Sequence, residues 1–343
     1  MKRTYKKLVS KQIIQAELAC IFISFSIFLV CCGKAQSSDT GFVAKHGQLS
    51  VKGTQLIDKN GDVLQLKGVS LGWHNWWSRY YSVPTVTWLN SDWKANLLRV
   101  AIGVEPEGAY LTDKKLAVDC LNTAVGAAIR NDMYVIVDWH AHHIHLDTAK
   151  SFFAEVATEY GNTPNIIYEI FNEPWGNDYT WDEVKKYSEE VIATIRAIDS
   201  DNIILVGCPN WDQDIHLAAD SPIEGFNNIM YTMHFYAATH EKSLRERTDY
   251  ALNKGLPVFI SECASMEASG DGAIDTAEWR IYTEWMDSRK LSYVMWSISS
   301  KSETCSMLRS DDTPSAAQVP LTNWKDSDLK EWGIMVRKII CDR

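Results

Sequence analysis

The chain has 343 residues, of which 46% are hydrophobic and 23% charged, an ordinary globular composition with material for one large core or two small ones. Its formal net charge of -10 argues against a nucleic-acid partner, because phosphate binding needs clustered Lys and Arg. Fourteen tryptophans suit either a large core or stacking on sugar rings, and composition alone does not separate the two.

Residues 1–36 read as an export signal. Lys2, Arg3, Lys6, Lys7 and Lys11 make a basic start, and the apolar run 18–32 is short for a bilayer span. Gly33 and Ala35 then offer a signal-peptidase site before Gln36. Leu29-Val30-Cys31-Cys32-Gly33 loosely resembles a lipobox, so a lipid anchor at Cys32 is the second reading and an uncleaved signal anchor the third. The expected location is secreted or periplasmic, with an outer-membrane lipoprotein as the alternative. Removing this segment leaves 28 basic and 43 acidic residues, a net of -15. Five cysteines remain, Cys120, Cys208, Cys263, Cys305 and Cys341. They lack CxxC spacing and are odd in number, which indicates buried single thiols and neither a zinc site nor a disulfide framework.

Residues 37–47 are polar and predict a flexible leader, so the folded domain is expected over 48–343. Residues 48–66 alternate apolar and polar around Lys59-Asn60-Gly61-Asp62, which predicts a β-hairpin turning at Asn60-Gly61. Eight short apolar runs follow, at 65–71, 96–102, 134–139, 166–171, 203–207, 229–236, 257–261 and 293–298. Between them, helical periodicity marks 116–130, 148–160, 181–198, 244–254 and 276–289; Val184, Tyr187, Val191, Ile192 and Ile195, for example, share one face. Apolar strands alternating with amphipathic helices imply a parallel sheet covered on its outer face. Eight such units predict an α/β fold, a single (β/α)8 TIM barrel behind a short N-terminal hairpin; an open doubly wound sheet shares the local pattern. No linker or second composition regime marks an appended module.

In such a barrel, reactive side chains sit at the carboxyl ends of strands. Those positions hold Arg99, Asp138-Trp139-His140, Asn172-Glu173-Pro174-Trp175, His234-Phe235-Tyr236, Glu262 and Trp296. Two carboxylates among aromatics and imidazoles suit cleavage of a glycosidic bond, one carboxyl giving a proton and the other, ionised, attacking or activating water. Arg99 near the barrel floor would favour an ionised partner, and Glu262, held on its strand, suits a nucleophile. A lone Glu is more often a surface or ion-paired residue; two that end separate inner strands weaken that reading. His140, His142, His143 and His145 invite a metal reading. Their segment follows a strand directly and has neither a helical i, i+4 context nor an HExxH pattern, so no metal site is expected.

The segments Gly68-Val69-Ser70-Leu71-Gly72-Trp73-His74, Val135 through His143, Ile167 through Pro174, Tyr231 through Tyr236 with Thr239-His240, and Phe259-Ile260-Ser261-Glu262 together resemble glycoside hydrolase family 5, and most closely its bacterial endoglucanase branch. The resemblance spans about residues 49–305. It implies a retaining double displacement with no cofactor and no metal, acting on β-1,4-glucan. It also implies Glu173 as acid/base, Glu262 as nucleophile, and Arg99, His140, Asn172, His234 and Tyr236 as their supporting shell. Trp296 would be a sugar-stacking platform followed by Lys301 and Glu303 as hydroxyl-binding residues, with Trp76 and Trp211 as further platforms. Core packing competes for each tryptophan, least for Trp296 and most for Trp73 and Trp139. The chain departs from the family pattern at Cys263-Ala264, where an aromatic and Gly are common, and at Cys208 and Cys305. Those departures bear on subsite shape; a Cys263–Cys305 bridge is conceivable. A monomer without a protein partner is expected. A β-mannanase or xyloglucanase with the same two glutamates, or a catalytically weak surface glycan-binding lipoprotein, are the competing readings.

Overall fold

A computed structural model describes residues 41–311 and 317–342. The expected export signal, its cleavage site and Cys32 lie outside the described residues. The eight apolar runs form strands β3 (Lys67–Leu71), β4 (Leu97–Gly103), β5 (Tyr134–His140), β6 (Ile166–Glu169), β7 (Ile203–Val206), β8 (Ile229–Tyr236), β9 (Val258–Ala264) and β10 (Tyr293–Ile298). They pair in parallel in chain order, and β10 closes on β3, giving the barrel expected from the pattern.

Helices cover the outside, among them Lys114–Arg130, Leu146–Tyr160, Trp181–Arg196, Lys242–Asn253 and Thr276–Arg289. The helix Trp181–Arg196 shows how local sequence sets a boundary. Thr180 accepts the Glu183 backbone N–H, and the Glu183 carboxylate accepts the Thr180 N–H in return, so two otherwise orphaned donors are satisfied. Its Val184, Tyr187, Val191, Ile192 and Ile195 are buried against the barrel.

Two expectations at the N-terminus are corrected. Within the stretch read as a flexible leader, Phe42–His46 is a helix, and Val43 is buried. Val43, Leu49 and Leu56 pack with Leu97, Ile136, Ile167, Leu205, Phe259 and Val294, so this segment plugs the barrel floor. Its scattered apolar residues dock on existing apolar surface, a signal that periodicity over so short a stretch does not carry. The hairpin does form, from β1 (Ser50–Lys52) and β2 (Gln55–Ile57), but it turns at Gly53-Thr54. Asn60-Gly61 closes a second return, in which Asp58 N–H donates to the Asp62 carbonyl and Ile57 bridges Val63. Asp58 itself holds that loop by accepting the N–H groups of Asn60 and Asp62. Among the described residues, no helix is long and apolar enough to cross a membrane.

The register slips once between β8 and β9: Thr232 pairs with Phe259, but His234 pairs with Glu262. One extra residue on β9 is a β-bulge, which breaks strict alternation and re-aims side chains. The neighbours Ser261 and Glu262 thereby both reach the site, Ser261 touching Glu169 and Glu262 touching Arg99.

Candidate active site

Arg99, on β4 and fully buried, organises the floor of the site. Its Nε and Nη2 donate to the two oxygens of Glu169 at 2.8 and 3.0 Å, and Nη1 donates to Glu262 Oε2 at 2.9 Å. Nη2 also reaches Asn172 Oδ1 at 2.6 Å and Asp138 Oδ2 at 2.9 Å. A planar fork with five donors is suited to such multiple acceptance. Three carboxylates surround one guanidinium, and against the cost of burial they hold the Arg99 charge firmly in place.

Glu262 has a donor on each oxygen, since the Tyr236 hydroxyl donates to Oε1 at 2.7 Å. Burial and then the charge of Glu173 push its carboxyl above the ordinary range, and Arg99, His234 and Tyr236 pull it part of the way back. Glu173 faces it from beyond β6. One oxygen of each glutamate and one ring nitrogen of His234 lie within 4.8 Å of one another. Such a trio of atoms could surround a cation, but the buried guanidinium on Glu262 disfavours one there. Burial raises the Glu173 carboxyl, but the hydrogen bond and charge of His234, whose Nδ1 is 2.9 Å from Oε1, outweigh it and hold Glu173 below its usual range. His140 donates Nδ1–H to Asp138 Oδ2 at 2.6 Å and stacks on Trp296, ring centroids 5.3 Å apart and nearly parallel. Burial, then the Arg99 charge, keeps this imidazole neutral.

Arg99, His140, Asn172, Glu173, His234, Tyr236 and Glu262 thus meet in one cluster. A cavity on one side is lined by Trp73, Trp76, Trp77, Trp296, Lys301, Glu303 and Cys305 together with both glutamates. Lys301 Nζ pairs with Glu303 Oε2, and the Cys305 thiol donates to Glu303 Oε1 at 3.3 Å. Trp73, favoured as core by the sequence, instead lines this cavity beside Trp76 and His140, whereas Trp139 is fully buried. A second cavity, on the other side of Tyr236, is lined by Glu173, Trp211, Gln213, His234, Tyr236, His240 and Ala268. Trp175, 44% exposed, stands edge-on to Trp211 at 5.7 Å; Gly176 next to it has φ +46, and a Cβ there would meet the Trp211 ring at 2.9 Å. In the loop that follows β5, the backbone N–H groups of His142 and His143 both donate to Glu105 Oε1. Every cysteine among the described residues is a free thiol, so Cys263 and Cys305 are not bridged.

Sequence reading put Asp138 and Trp175 at strand ends without giving either a role, and gave none to Glu169, Ser261 or Asp212. Glu169 carried a usable signal, a charge inside the apolar run 166–171 of a strand covered on both faces.

A cellulase family model, glycosyl hydrolase family 5, matches residues 57–302. The chain belongs to that family. Among relatives of this family 5 chain, an endoglucanase of Clostridium saccharobutylicum is 37% identical over 94% of the chain and 71% of its own length. Endoglucanase A of Evansella cellulosilytica is 38% identical over 94% of the chain and 66% of its length. Endoglucanase 5 of Pectobacterium carotovorum is 39% identical over 87% of the chain, which spans 58% of that relative. A solved structure from Cytophaga hutchinsonii is 41% identical, with TM-score 0.82 over 87% of this chain and 95% of that one. The catalytic domain of a Thermobifida fusca endoglucanase, bound to cellotetraose, gives TM-score 0.80 at 32% identity over 87% of this chain and 98% of that one.

Proposed function

We propose that this glycoside hydrolase is an endo-β-1,4-glucanase that works by retaining double displacement, with Glu262 as nucleophile and Glu173 as acid/base. One observation carries the reading: carboxylate oxygens of Glu173 and Glu262 lie within 4.8 Å. Retaining pairs stand about 5–5.5 Å apart, whereas inverting pairs need about 6.5–9.5 Å to admit a water between carboxylate and sugar.

In the first step Glu262 Oε attacks the anomeric carbon while the bond to the leaving oxygen breaks and that oxygen takes a proton from Glu173. In the second, Glu173 removes a proton from water, whose oxygen displaces Glu262 from the same carbon. Arg99 and the Tyr236 hydroxyl keep Glu262 ionised and oriented for attack. Asn172 presents an Nδ2 without a protein partner, a donor free for a sugar hydroxyl. Trp76 and Trp296 supply flat faces for sugars on one side of the glutamates, and Trp211 does so on the other, as an internal cut in a β-linked chain requires. Endoglucanase relatives support β-1,4-glucan as the substrate, and the basic and apolar N-terminal segment supports export from the cell.

The test is the digestion of cellohexaose followed by proton NMR. The β-anomer should appear first, with cellotriose, cellobiose and cellotetraose as early products. Initial release of the α-anomer, or faster cleavage of mannan than of soluble cellulose, would refute the proposal.

A further inference from the structure

His234 uses both ring nitrogens. Nδ1 lies 2.9 Å from Glu173 Oε1, and Nε2 lies 2.8 Å from Ser261 Oγ. Ser261 donates its single hydroxyl proton to Glu169 Oε1 at 2.8 Å, a carboxylate fixed by Arg99. Its oxygen can therefore only accept from His234, so Nε2 carries a hydrogen. Nδ1 and Glu173 Oε1 are left to share one proton between them.

Behind Nε2 stands Asp212, fully buried. Its Oδ1 accepts the Cys208 N–H at 2.5 Å, while Oδ2 has no hydrogen-bond partner and points at Nε2 from 3.3 Å. The backbone that brings it there is unusual. Asn210, Trp211 and Asp212 have φ of 58, 53 and 61, three successive side-chain-bearing residues in the left-handed region. Such conformations are unfavourable for residues that carry a Cβ and persist where the surroundings fix them. Here the fixing contacts are Asn210 N–H to the Gly176 carbonyl and Trp211 N–H to the Pro174 carbonyl, on the loop that carries Glu173. One turn therefore sends Trp211 to the second cavity and Asp212 to the back of His234.

The other groups around His234 are already matched. Glu169, 3.7 Å from Nε2, and Glu262 across the site both bond Arg99, as does Asp138 beneath. His142 and His240 flank Glu173 at its backbone carbonyl and second cavity, and Arg247 lies beyond His240. Among the described residues, His234 is the one cationic side chain paired with Asp212. Burial holds the Asp212 carboxyl well above its ordinary range, the His234 charge drawing it only part of the way back. The same contact raises His234 well above its own ordinary range against its burial, so the two groups hold their charges as a pair.

We infer that Asp212 is a positioning residue of the acid/base step: set behind His234 by the left-handed turn, its carboxylate fixes the ring with hydrogen on Nε2 and keeps a proton at the Nδ1–Glu173 contact. This rests on Glu173 being the proton donor. Removing a negative charge beside a shared proton releases that proton sooner, so the sign of the effect is fixed whichever atom holds it.

The test is the pH profile of kcat/KM on cellopentaose for Asp212→Asn and Asp212→Ser. The alkaline limb should move to lower pH by about one unit in both, with the acidic limb less affected. Activity lost equally at every pH, with the limb unmoved, would mean that Asp212 only packs the turn and would overturn the inference. Wild-type protein that cleaves no β-glucan would instead defeat the functional reading. Nitrogen-15 NMR of the His234 ring then decides independently of activity. A protonated Nε2 in the wild type across about pH 5–8, with the proton at Nδ1 given up at lower pH in Asp212→Asn, supports the inference. A bare Nε2 in the wild type, or a ring titration unmoved in Asp212→Asn, overturns it.

Discussion

Glu169 meets Arg99 along two parallel hydrogen bonds, from Nε at 2.8 Å and from Nη2 at 3.0 Å, and neither side chain is exposed. This fork leaves Nη1 for Glu262 and so sets where that carboxylate stands. Glu169→Gln keeps the shape but removes the charge, leaving a buried guanidinium short of one counter-ion. Breaking such a pair costs about 3–5 kcal/mol, and the displaced Glu262 should lose about 10²-fold in kcat. Chemical denaturation and steady-state rates on soluble cellulose check both. Unchanged rates would show that Asp138 and Asn172 suffice to hold Arg99.

The fold was legible because its signals repeat. Eight apolar strands with amphipathic helices between them leave little choice of architecture, and β8, β10 and Thr276–Arg289 begin and end where periodicity puts them. The site was legible where a polar residue ends an apolar run, as at His140 and Glu173. It was not legible where geometry departs from the strand period. The β9 bulge turns both Ser261 and Glu262 inward, so alternation that finds one hides the other. Asp212 escapes for a similar reason, since nothing in Asn210-Trp211-Asp212 announces a left-handed turn; that conformation is imposed by the Pro174 and Gly176 carbonyls. Asn60-Gly61 does turn the chain back, with Ile57 bridging Val63, but this strong turn dipeptide hid a weaker, earlier turn at Gly53-Thr54 that joins β1 to β2.

The two glutamates should fail differently. Glu262→Gln removes the attacking oxygen, so turnover should vanish on every substrate while cellotetraose still binds. Glu173→Gln removes proton donation, worth about 10²–10⁴-fold on substrates with a poor leaving group. An aryl cellobioside with an acidic phenol needs no such proton and should lose far less in its first step. Burst kinetics on that substrate would separate the two steps, and equal losses on both substrates would argue against Glu173 as the acid.

Trp175 offers an exposed indole beside Trp211, with the His142 and His143 rings against its other edges. It stands on the loop just beyond Glu173, outward of the cavity that Trp211 lines. Trp175→Ala should therefore weaken substrates long enough to cover it, raising KM for cellohexaose by about two- to tenfold at aromatic-contact energies. Cellotriose should be cleaved as before. A loss shared equally by short and long substrates would assign Trp175 to the support of the Trp211 turn instead.

The pH profile follows from two protonation events of opposite sense. Glu262 must be ionised to attack, and burial together with the neighbouring charge of Glu173 raises its carboxyl, so activity should fall as pH drops through that raised value. The Glu173–His234 pair must hold a proton, so activity should fall again as pH rises and the pair gives it up. Tyr236→Phe tests the first limb alone. Its hydroxyl donates to Glu262 Oε1 at 2.7 Å and so favours the carboxylate. Without it the ionised form loses a charge-assisted hydrogen bond worth about 1.5–3 kcal/mol, and the acidic limb should move upward by about one unit or more. The alkaline limb, governed by groups that Tyr236 does not touch, should stay where it is. Movement of both limbs together would mean that the substitution has shifted the distance between the glutamates, and an unmoved acidic limb would remove Glu262 as the group titrating there.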